Sequence, residues 1–370
     1  MQSAMQSFSQ EKVANQIREI LAGFGMDQQL QSAVVDGMLY ADLRGVDSHG
    51  IALLPLYQKW LQEGAVNIKG TPSVTSNNGA AITIDGGGNF GFLGASLACQ
   101  SAIDLAKDKG VAAVTVSRSH HFGAAGFYAH QIASAGLMAF VTTSTKVVCV
   151  VPPGAKDPVL GTNPLAYGVP RADAVPIVFD IATSTAAGNR IRVFKYQNKP
   201  VPEGWIVDGE GESVTDAARA EDIVYGRERG GITPLGSTLM LGSHKGYGLS
   251  LMTHFFAGCL AGGSFSGRVR ASESQRHTPL GQDNIGHFFL ALDPARFGGA
   301  DGFAASVQEV VDSLHATDPV DADRPVMLPG EIEQRVMRER QQQGIPLADA
   351  LVDQIVQLAQ TLGVANVLKP

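Results

Sequence analysis

Histidine is the side chain that most readily moves a proton near neutral pH, and this chain sets histidines beside glycines and hydroxyls. Ser119-His120-His121-Phe122-Gly123-Ala124-Ala125-Gly126 follows the β-branched run Val111 to Val116, so the pair stands at the end of an expected buried strand. Successive strand side chains point to opposite faces, so one histidine faces a pocket and the other the scaffold. The pocket-facing ring can exchange a proton with a carbonyl oxygen or a hydroxyl. A metal site would need a third ligand, and none lies nearby in the sequence. Asp47-Ser48-His49-Gly50 offers another histidine beside a hydroxyl, although Ser48 or Asp47 suits a helix cap equally well.

Two further clusters suit a nucleotide. Gly161-Thr162-Asn163-Pro164 is followed by Asp180-Ile181-Ala182-Thr183-Ser184. Small hydroxyl and amide groups after strands can hold ribose hydroxyls, and backbone N–H groups at a helix start can hold a pyrophosphate. Ordinary turn chemistry accounts for the same residues. Gly242-Ser243-His244-Lys245-Gly246-Tyr247-Gly248 opens an apolar helix. A lysine there opposes the helix dipole by a few tenths to about 1 kcal/mol unless an anion sits beside it. Positions that break a local rule tend to be functional. Residues 86–91, GGGNFG, match G-x-G-x-x-G between AAITID and a helical stretch, the setting of a Rossmann dinucleotide fingerprint. The acidic residue that should end the next strand is absent; Ser117, Arg118 and Ser119 stand there instead. Arg118 could accommodate a 2′-phosphate, so that role stays open, but a structural strand-to-helix turn is the preferred reading.

These clusters must be positioned by regular elements. Ser9 can cap a helix from Gln10 toward Leu21, and Asp27 a second from Gln28 to about Leu43. A weaker helical pattern runs from Ile51 to Leu61. From about Thr71, short β-branched runs (Ala80 to Asp85, Val111 to Val116, Leu137 to Thr143) alternate with Ala-rich helical stretches such as Ala95 to Lys109. Val159 to Asp180 and Arg192 to Asp208 read as strand and turn. A long apolar helix starts near Gly246, and a strand containing His287 to Leu292 follows a polar loop of about twenty residues. Helices return at Gly330 to Gln342 and Leu347 to Leu362. The expected organisation is a helical part in which residues 1–70 pack with 310–370, around a central α/β region, 71–309.

Composition bounds the partners. With 28 Lys+Arg against 35 Asp+Glu the net charge is −7, which gives no basic field for nucleic acid or an anionic membrane. Any phosphate binding must be local. Hydrophobic residues at 44% and charged ones at 17% fit a chain with a sizeable core. Cys99, Cys149 and Cys259 are widely spaced, so no disulfide framework is expected, and with no signal-peptide pattern a cytoplasmic protein is. Glycine reaches 43 of 370 residues against a typical ~7%, and it gathers beside histidines, lysines and asparagines, as in an enzyme's loops.

Taken together and in order, RGVDSHGI (44–51), SHHFGAAGFYA (119–129), PVLGTNPLAYGVPR (158–171), FDIATS (179–184), HKGYGLSLM (244–252), GHFFLALDP (286–294) and LPGEIE (328–333) resemble the malate/L-lactate dehydrogenase family of non-Rossmann oxidoreductases. Its members include malate, L-sulfolactate and ureidoglycolate dehydrogenases, 2,3-diketogulonate reductase and piperideine-2-carboxylate reductase. The matches span nearly the whole chain. The resemblance implies an α/β fold with a non-Rossmann mixed sheet, a helical domain formed by both termini, and a homodimer whose active site borders both subunits. It implies NAD or NADP as cofactor and hydride transfer to or from a 2-hydroxy or 2-oxo acid. Alternatives are the C=N of a cyclic imino acid as substrate, or a catalytically silent nucleotide-binding homologue, against which His121 and Lys245 count.

By the same resemblance His121 is the acid/base, and Ser48 and His49 line the pocket. Lys146 lies where some relatives carry a second polar catalytic group. Asp180, Ile181, Ala182, Thr183 and Ser184, Lys245 with Gly246, and Gly330 with Glu331 fall on cofactor-contacting segments, and no metal is expected. One departure matters: where most members place an arginine to grip the substrate carboxylate, and sometimes a second, this chain has Leu53 and Leu56. A bidentate guanidinium is therefore replaced by hydrocarbon, which points away from malate and lactate as substrates.

Overall fold

The computed structural model describes residues 5–226, 228–264 and 284–369; most of the expected polar loop after the apolar helix lies outside them. The Ser9 hydroxyl accepts the Lys12 N–H and starts α1 (Gln10–Gly23), and Asp27 accepts the Leu30 N–H at 2.9 Å and starts α2 (Gln28–Leu43). Two single turns, Asp47–His49 and Ile51–Leu53, then lead into α3 (Leu54–Gln62). At the other end of the chain α10 (Glu331–Gln343), β11 (Ile345–Ala348) and α11 (Asp349–Leu362) return to the same place. β11 pairs antiparallel with β1 (Met5–Phe8), Phe8 opposite Ile345. Ile17, Ile20, Leu30 and Met38 share one core with Ile345, Val352, Ile355 and Leu358. Leu347 thus belongs to a strand rather than to the helix expected there, because both of the chain's ends need partners for their backbone groups.

The second core lies under a seven-stranded sheet: β2 (Ser73–Asn78), β3 (Ala81–Asp85), β4 (Val111–Ser119), β10 (Ile285–Leu292), β5 (Met138–Thr143), β6 (Leu165–Val169) and β7 (Ile177–Ile181), in that spatial order. Only β3 and β4 are parallel neighbours, so the sheet is mixed and is not a doubly wound parallel one. α4 (Gly91–Lys109) crosses between them and packs with α5 (Ala125–Ser134) on the face that holds Val114, Val116, Val141 and Phe289. The other face takes α8 (Ser243–His254) and its π-helical continuation Phe255–Leu260, where Phe256 stacks on Phe288 at 4.7 Å. Alternation along β10 sends 288 and 289 to opposite faces.

A third, smaller core joins α6 (Gly188–Tyr196), α7 (Ala217–Val224) and the hairpin-like pair β8 (Ile206–Asp208) and β9 (Gly230–Ile232). The stretch after Arg192 is therefore helical as far as Tyr196, not a strand. Ile191 and Phe194, three apart, both turn toward this core, a spacing only a helix satisfies. A last helix, α9 (Ala300–His315), buries only Val311.

His287 ties the sheet's functional edge together. Its Nδ1 lies 2.7 Å from Thr143 Oγ1 and its Nε2 2.8 Å from Ser119 Oγ, and the ring stacks on Phe122 at 4.5 Å. Burial lowers its pKa to about 3, with His120 contributing. An unfolded histidine titrates near 6.5, so below that pH the unfolded chain binds a proton that the folded one refuses. This contribution to stability is whole above pH ~6.5 and is lost on acidification, with a slope approaching 1.4 kcal/mol per pH unit. Urea denaturation from pH 7.5 to 5 is expected to show that loss, and His287→Gln, which keeps a donor and an acceptor, to show it reduced by about one histidine's worth. An identical slope in the variant would refute the assignment.

Candidate active site

His121 is fixed from behind before any ligand is considered. The N–H groups of Gly86, Gly88 and Gly91 donate to the carbonyls of Ser117, Arg118 and His121 at 2.8, 2.7 and 2.9 Å. GGGNFG is thus a clamp on the outgoing end of β4, and its donors are used by protein carbonyls, not kept for a pyrophosphate. Residue 91 must lack a Cβ, since one would stand 2.4 Å from the His120 carbonyl oxygen and 2.6 Å from Phe122 Cβ. The two histidine rings part here. His120 is 1% exposed, with its ring edge-on to Trp60 at 4.6 Å, while the His121 ring is half-buried.

Three side chains of the helical part meet the His121 ring. The Tyr57 hydroxyl lies 2.9 Å from Nδ1, which also accepts the Gly123 N–H at 3.3 Å. The His49 ring lies nearly parallel, 5.7 Å away and 22° inclined, and its own Nδ1 is 2.8 Å from Ser48 Oγ. Trp60 stands 5.9 Å from His121 and stacks on Tyr57. Sequence reasoning missed Tyr57 and Trp60. Their three-residue spacing on a helix directly after Ser48-His49 was the available signal, since it sets both rings on one face. Desolvation lowers the His121 pKa well below 6.5, with His49, His120 and His287 adding to it, and it lowers His49 to about 4. Burial pushes the Tyr57 phenol up. The cluster is neutral at physiological pH, so each ring offers one hydrogen-bond donor and one acceptor. Leu53 is 6% exposed within the helical core, and Leu56 faces outward.

A second group forms at the ends of β6 and β7. Asp180 accepts the Gly126 N–H at 2.7 Å while staying open to solvent. Ile181 and Ala182 are half-buried. The Thr183 hydroxyl donates to the carbonyls of Thr162 and Asn163, both at 3.0 Å, and Ser184 Oγ to that of Ala186 at 2.9 Å. Asn163 binds Ser250 of α8 and accepts from Thr145. The amide and hydroxyls that suggested ribose contacts therefore join the limbs of the fold.

The expected cofactor residues converge on this edge from two more directions. Leu235 N donates to the Thr183 carbonyl, and Gly246 packs against Leu235 so closely that a Cβ would lie 2.2 Å from its carbonyl oxygen; Lys245 is exposed beside it in the first turn of α8. Gly330, at φ +91°, rests on the backbone of Val178 in β7. Glu331 accepts the Leu328 N–H at 2.8 Å and pairs with His315, so its carboxylate is engaged in the turn itself. Lys146, half-buried, follows β5 at the sheet edge where β4 delivers His121. The donor chemistry fits a phosphorylated cofactor: an exposed cation at a helix start, with no ion pair among the described residues and a close-packed glycine next to it. Among the described residues no group of three or more His, Cys, Asp or Glu side chains could hold a metal ion.

Comparison with known proteins places the chain among relatives over nearly its whole length. The family model described as Malate/L-lactate dehydrogenase matches residues 8–356. The chain is 32% identical over 357 residues to hydroxycarboxylate dehydrogenase B of Escherichia coli K12, covering 96% of this chain and 94% of that one. It is 31% identical over 354 residues to the Delta(1)-pyrroline-2-carboxylate/Delta(1)-piperideine-2-carboxylate reductase of Pseudomonas syringae pv. tomato, covering 96% of each. The crystal structure of malate dehydrogenase from Entamoeba histolytica superposes with a TM-score of 0.90 at 28% identity, covering 98% of this chain and 99% of that one. With its mixed sheet, its helical domain built from both termini and matches over nearly its whole length, the chain belongs to the malate/L-lactate dehydrogenase family of oxidoreductases.

Proposed function

We propose that this oxidoreductase uses His121 as its acid/base on a 2-hydroxy or 2-oxo acid that is larger or more apolar than malate or lactate. The observation that carries the reading is the His121 ring itself, held at Nδ1 by Tyr57 and Gly123 and neutral through desolvation. A backbone N–H can only donate, so Nδ1 accepts and the ring proton belongs on Nε2, the nitrogen left for substrate. In reduction the ring first takes up a second proton from solvent, on Nδ1 facing the Tyr57 oxygen, and Nε2–H then passes its proton to the forming alkoxide, leaving a neutral imidazole. In oxidation Nε2 must begin unprotonated, which moves the ring proton to Nδ1; the Tyr57 hydroxyl can rotate to accept it. Ser48 and His49 border the same space. A bound nicotinamide, NAD or NADP, supplies or takes up the hydride. Lys245 holds a phosphate or ribose of that cofactor, and Gly246, the 180–184 segment and Gly330 with Glu331 shape its seat. Lys146 is a second polar group at the sheet edge that carries His121.

The substrate preference rests on the aromatic wall of Tyr57 and Trp60 beside His121, and on Leu53, which is packed into the helical core and supplies no guanidinium to hold a carboxylate. The same wall favours a second reading, reduction of a cyclic imino acid, the substrate type in the name of the Pseudomonas syringae relative. A homodimer is supported by Leu239, Met240 and Leu241, 61%, 95% and 72% exposed just before Lys245, since apolar side chains this open call for cover. A cytoplasmic location is consistent with the cysteine usage; no helix among the described residues is long and apolar enough to cross a membrane.

Following the absorbance of reduced nicotinamide with a panel of oxo acids and cyclic imines tests the reading. Oxaloacetate and pyruvate are expected well below the ~10⁵ M⁻¹s⁻¹ of ordinary enzymes, with bulkier or cyclic compounds above them; efficient turnover of either small acid would sink the preference. His121→Ala should lower kcat by about 10²–10⁴ while cofactor affinity holds. Tyr57→Phe removes one hydrogen bond of about 1–1.5 kcal/mol and should lower kcat/KM about tenfold in both directions alike. Lys245→Ala should raise the cofactor Kd about ten- to a hundredfold by fluorescence titration, the loss of one charge-assisted contact; an unchanged Kd would show that the lysine is merely solvated.

A further inference from the structure

Between α2 and α3 the chain must turn sharply and still deliver Ser48 and His49 to one place. Two side chains far apart in sequence hold that turn. From α10, Arg340 donates to the Asp42 carbonyl and makes a forked ion pair with Asp47, Nη1 to Oδ1 and Nη2 to Oδ2 at 3.3 Å. The Arg340 side chain is only 13% exposed, while that of Asp47 is 60% exposed, so the fork rests on geometry and on the carbonyl contact as well as on charge. Val336, one turn earlier on α10, packs within 3.2 Å of where a Cβ of Gly45 would stand. From the inner side Asp42 accepts the Ile51 N–H at 2.8 Å. Its carboxylate fills the space beside Gly50 so fully that a Cβ there would lie 1.7 Å from Oδ1. Burial pushes the Asp42 carboxyl up to about 7; the Ile51 N–H opposes this, Asp47 adds to it and Arg340 opposes it.

The turn is thus pinned at 47 by Arg340 and at 51 by Asp42, with Ser48 and His49 between the pins. The other end of α10 is Gly330, seated on β7 beside Asp180. Nine helical steps of 1.5 Å separate residues 331 and 340, a rigid span of roughly 13 Å. We infer that Arg340 is a positioning residue: through α10 it fixes the Ser48-His49 turn against His121 relative to the β7 edge, and so sets affinity for substrate rather than for cofactor. The inference rests on the reading that Ser48 and His49 border the substrate.

Arg340→Met keeps the volume of the side chain and removes its charge; Arg340→Lys keeps the charge without the fork. With the best substrate of the panel, Arg340→Met is expected to raise KM about tenfold while kcat changes less than threefold and cofactor Kd less than twofold, with Arg340→Lys in between. Binding lost equally from ground and transition states gives this split. Hydrogen exchange on the unliganded proteins supplies a readout independent of activity: the 44–52 segment, Ile51 included, should exchange faster in Arg340→Met while β4 and β10 keep their protection. Asp47→Asn, on an exposed residue, should reproduce both effects, and the double variant should be no worse than either single one. If Arg340→Met does not fold, Asp47→Asn alone carries the test. Unchanged KM and unchanged exchange in a folded variant would overturn the inference, as would losses shared equally by kcat and cofactor affinity. A wild-type enzyme inactive on the whole panel would count against the functional reading, while exchange would still decide the clamp.

Discussion

His121 is bonded to both the helical part and the end of the sheet. The His121 carbonyl accepts the Gly91 N–H, which fixes where β4 lets go of the chain, and the His121 ring meets the Tyr57 hydroxyl, which fixes where α3 sits over that exit. A hydrogen bond in a recess shielded from water is stronger than one at the surface, and leaving it unmade there is costly. Both contacts constrain the relative placement of the two cores, together with the Asn67 N–H on the Gly88 carbonyl and the Asn89 amide on the Gly70 carbonyl. Gly91 has no side chain because the strand exit and the helix start must touch. Tyr57 is fully buried because its ring fills the gap between Phe90, Trp60 and the histidines.

Neutrality follows from the same packing. His121, His49 and His287 crowd one edge of the sheet, and desolvation is the first cause of the lowered pKa at each. Keeping three imidazoles uncharged lets them serve as hydrogen-bond donor and acceptor together, as proton exchange with a substrate oxygen requires. His287 spends both ring nitrogens on Ser119 and Thr143 and so holds the strands, while His121 commits only Nδ1. The two histidines thus differ in how many of their ring nitrogens the protein has taken.

Charge is handled locally. The molecule carries −7 overall, so attraction of an anionic cofactor cannot come from a general field. Lys245, exposed at the start of α8 against the helix dipole, is where a local cation stands without an evident structural reason. Arg340, by contrast, is nearly buried and bound to Asp47 and a carbonyl.

Local rules were legible in the chain wherever an interaction closes within a few residues. Ser9 and Asp27 cap their helices because a side-chain oxygen and an N–H three residues on are covalently near, and β3, β4 and β5 fall where β-branched runs stand, with β10 on the apolar run that includes His287 to Leu292. The motif order also carried the family and with it the fold class. What the sequence could not state was which distant groups meet. GGGNFG reads alike whether its N–H groups face a pyrophosphate or the carbonyls of Ser117 to His121. Ile345–Ala348 became a strand because β1, over 330 residues earlier, needed a partner. Thr183 and Asn163 show their polar groups in the sequence but not the bonds that tie them to one another's neighbours, and Tyr57 is an ordinary helix residue until α3 is laid across the end of β4. The physical reason is the same in each case: a hydrogen-bonding group advertises its capacity through its residue type, but its partner is chosen by packing that only the folded chain brings about.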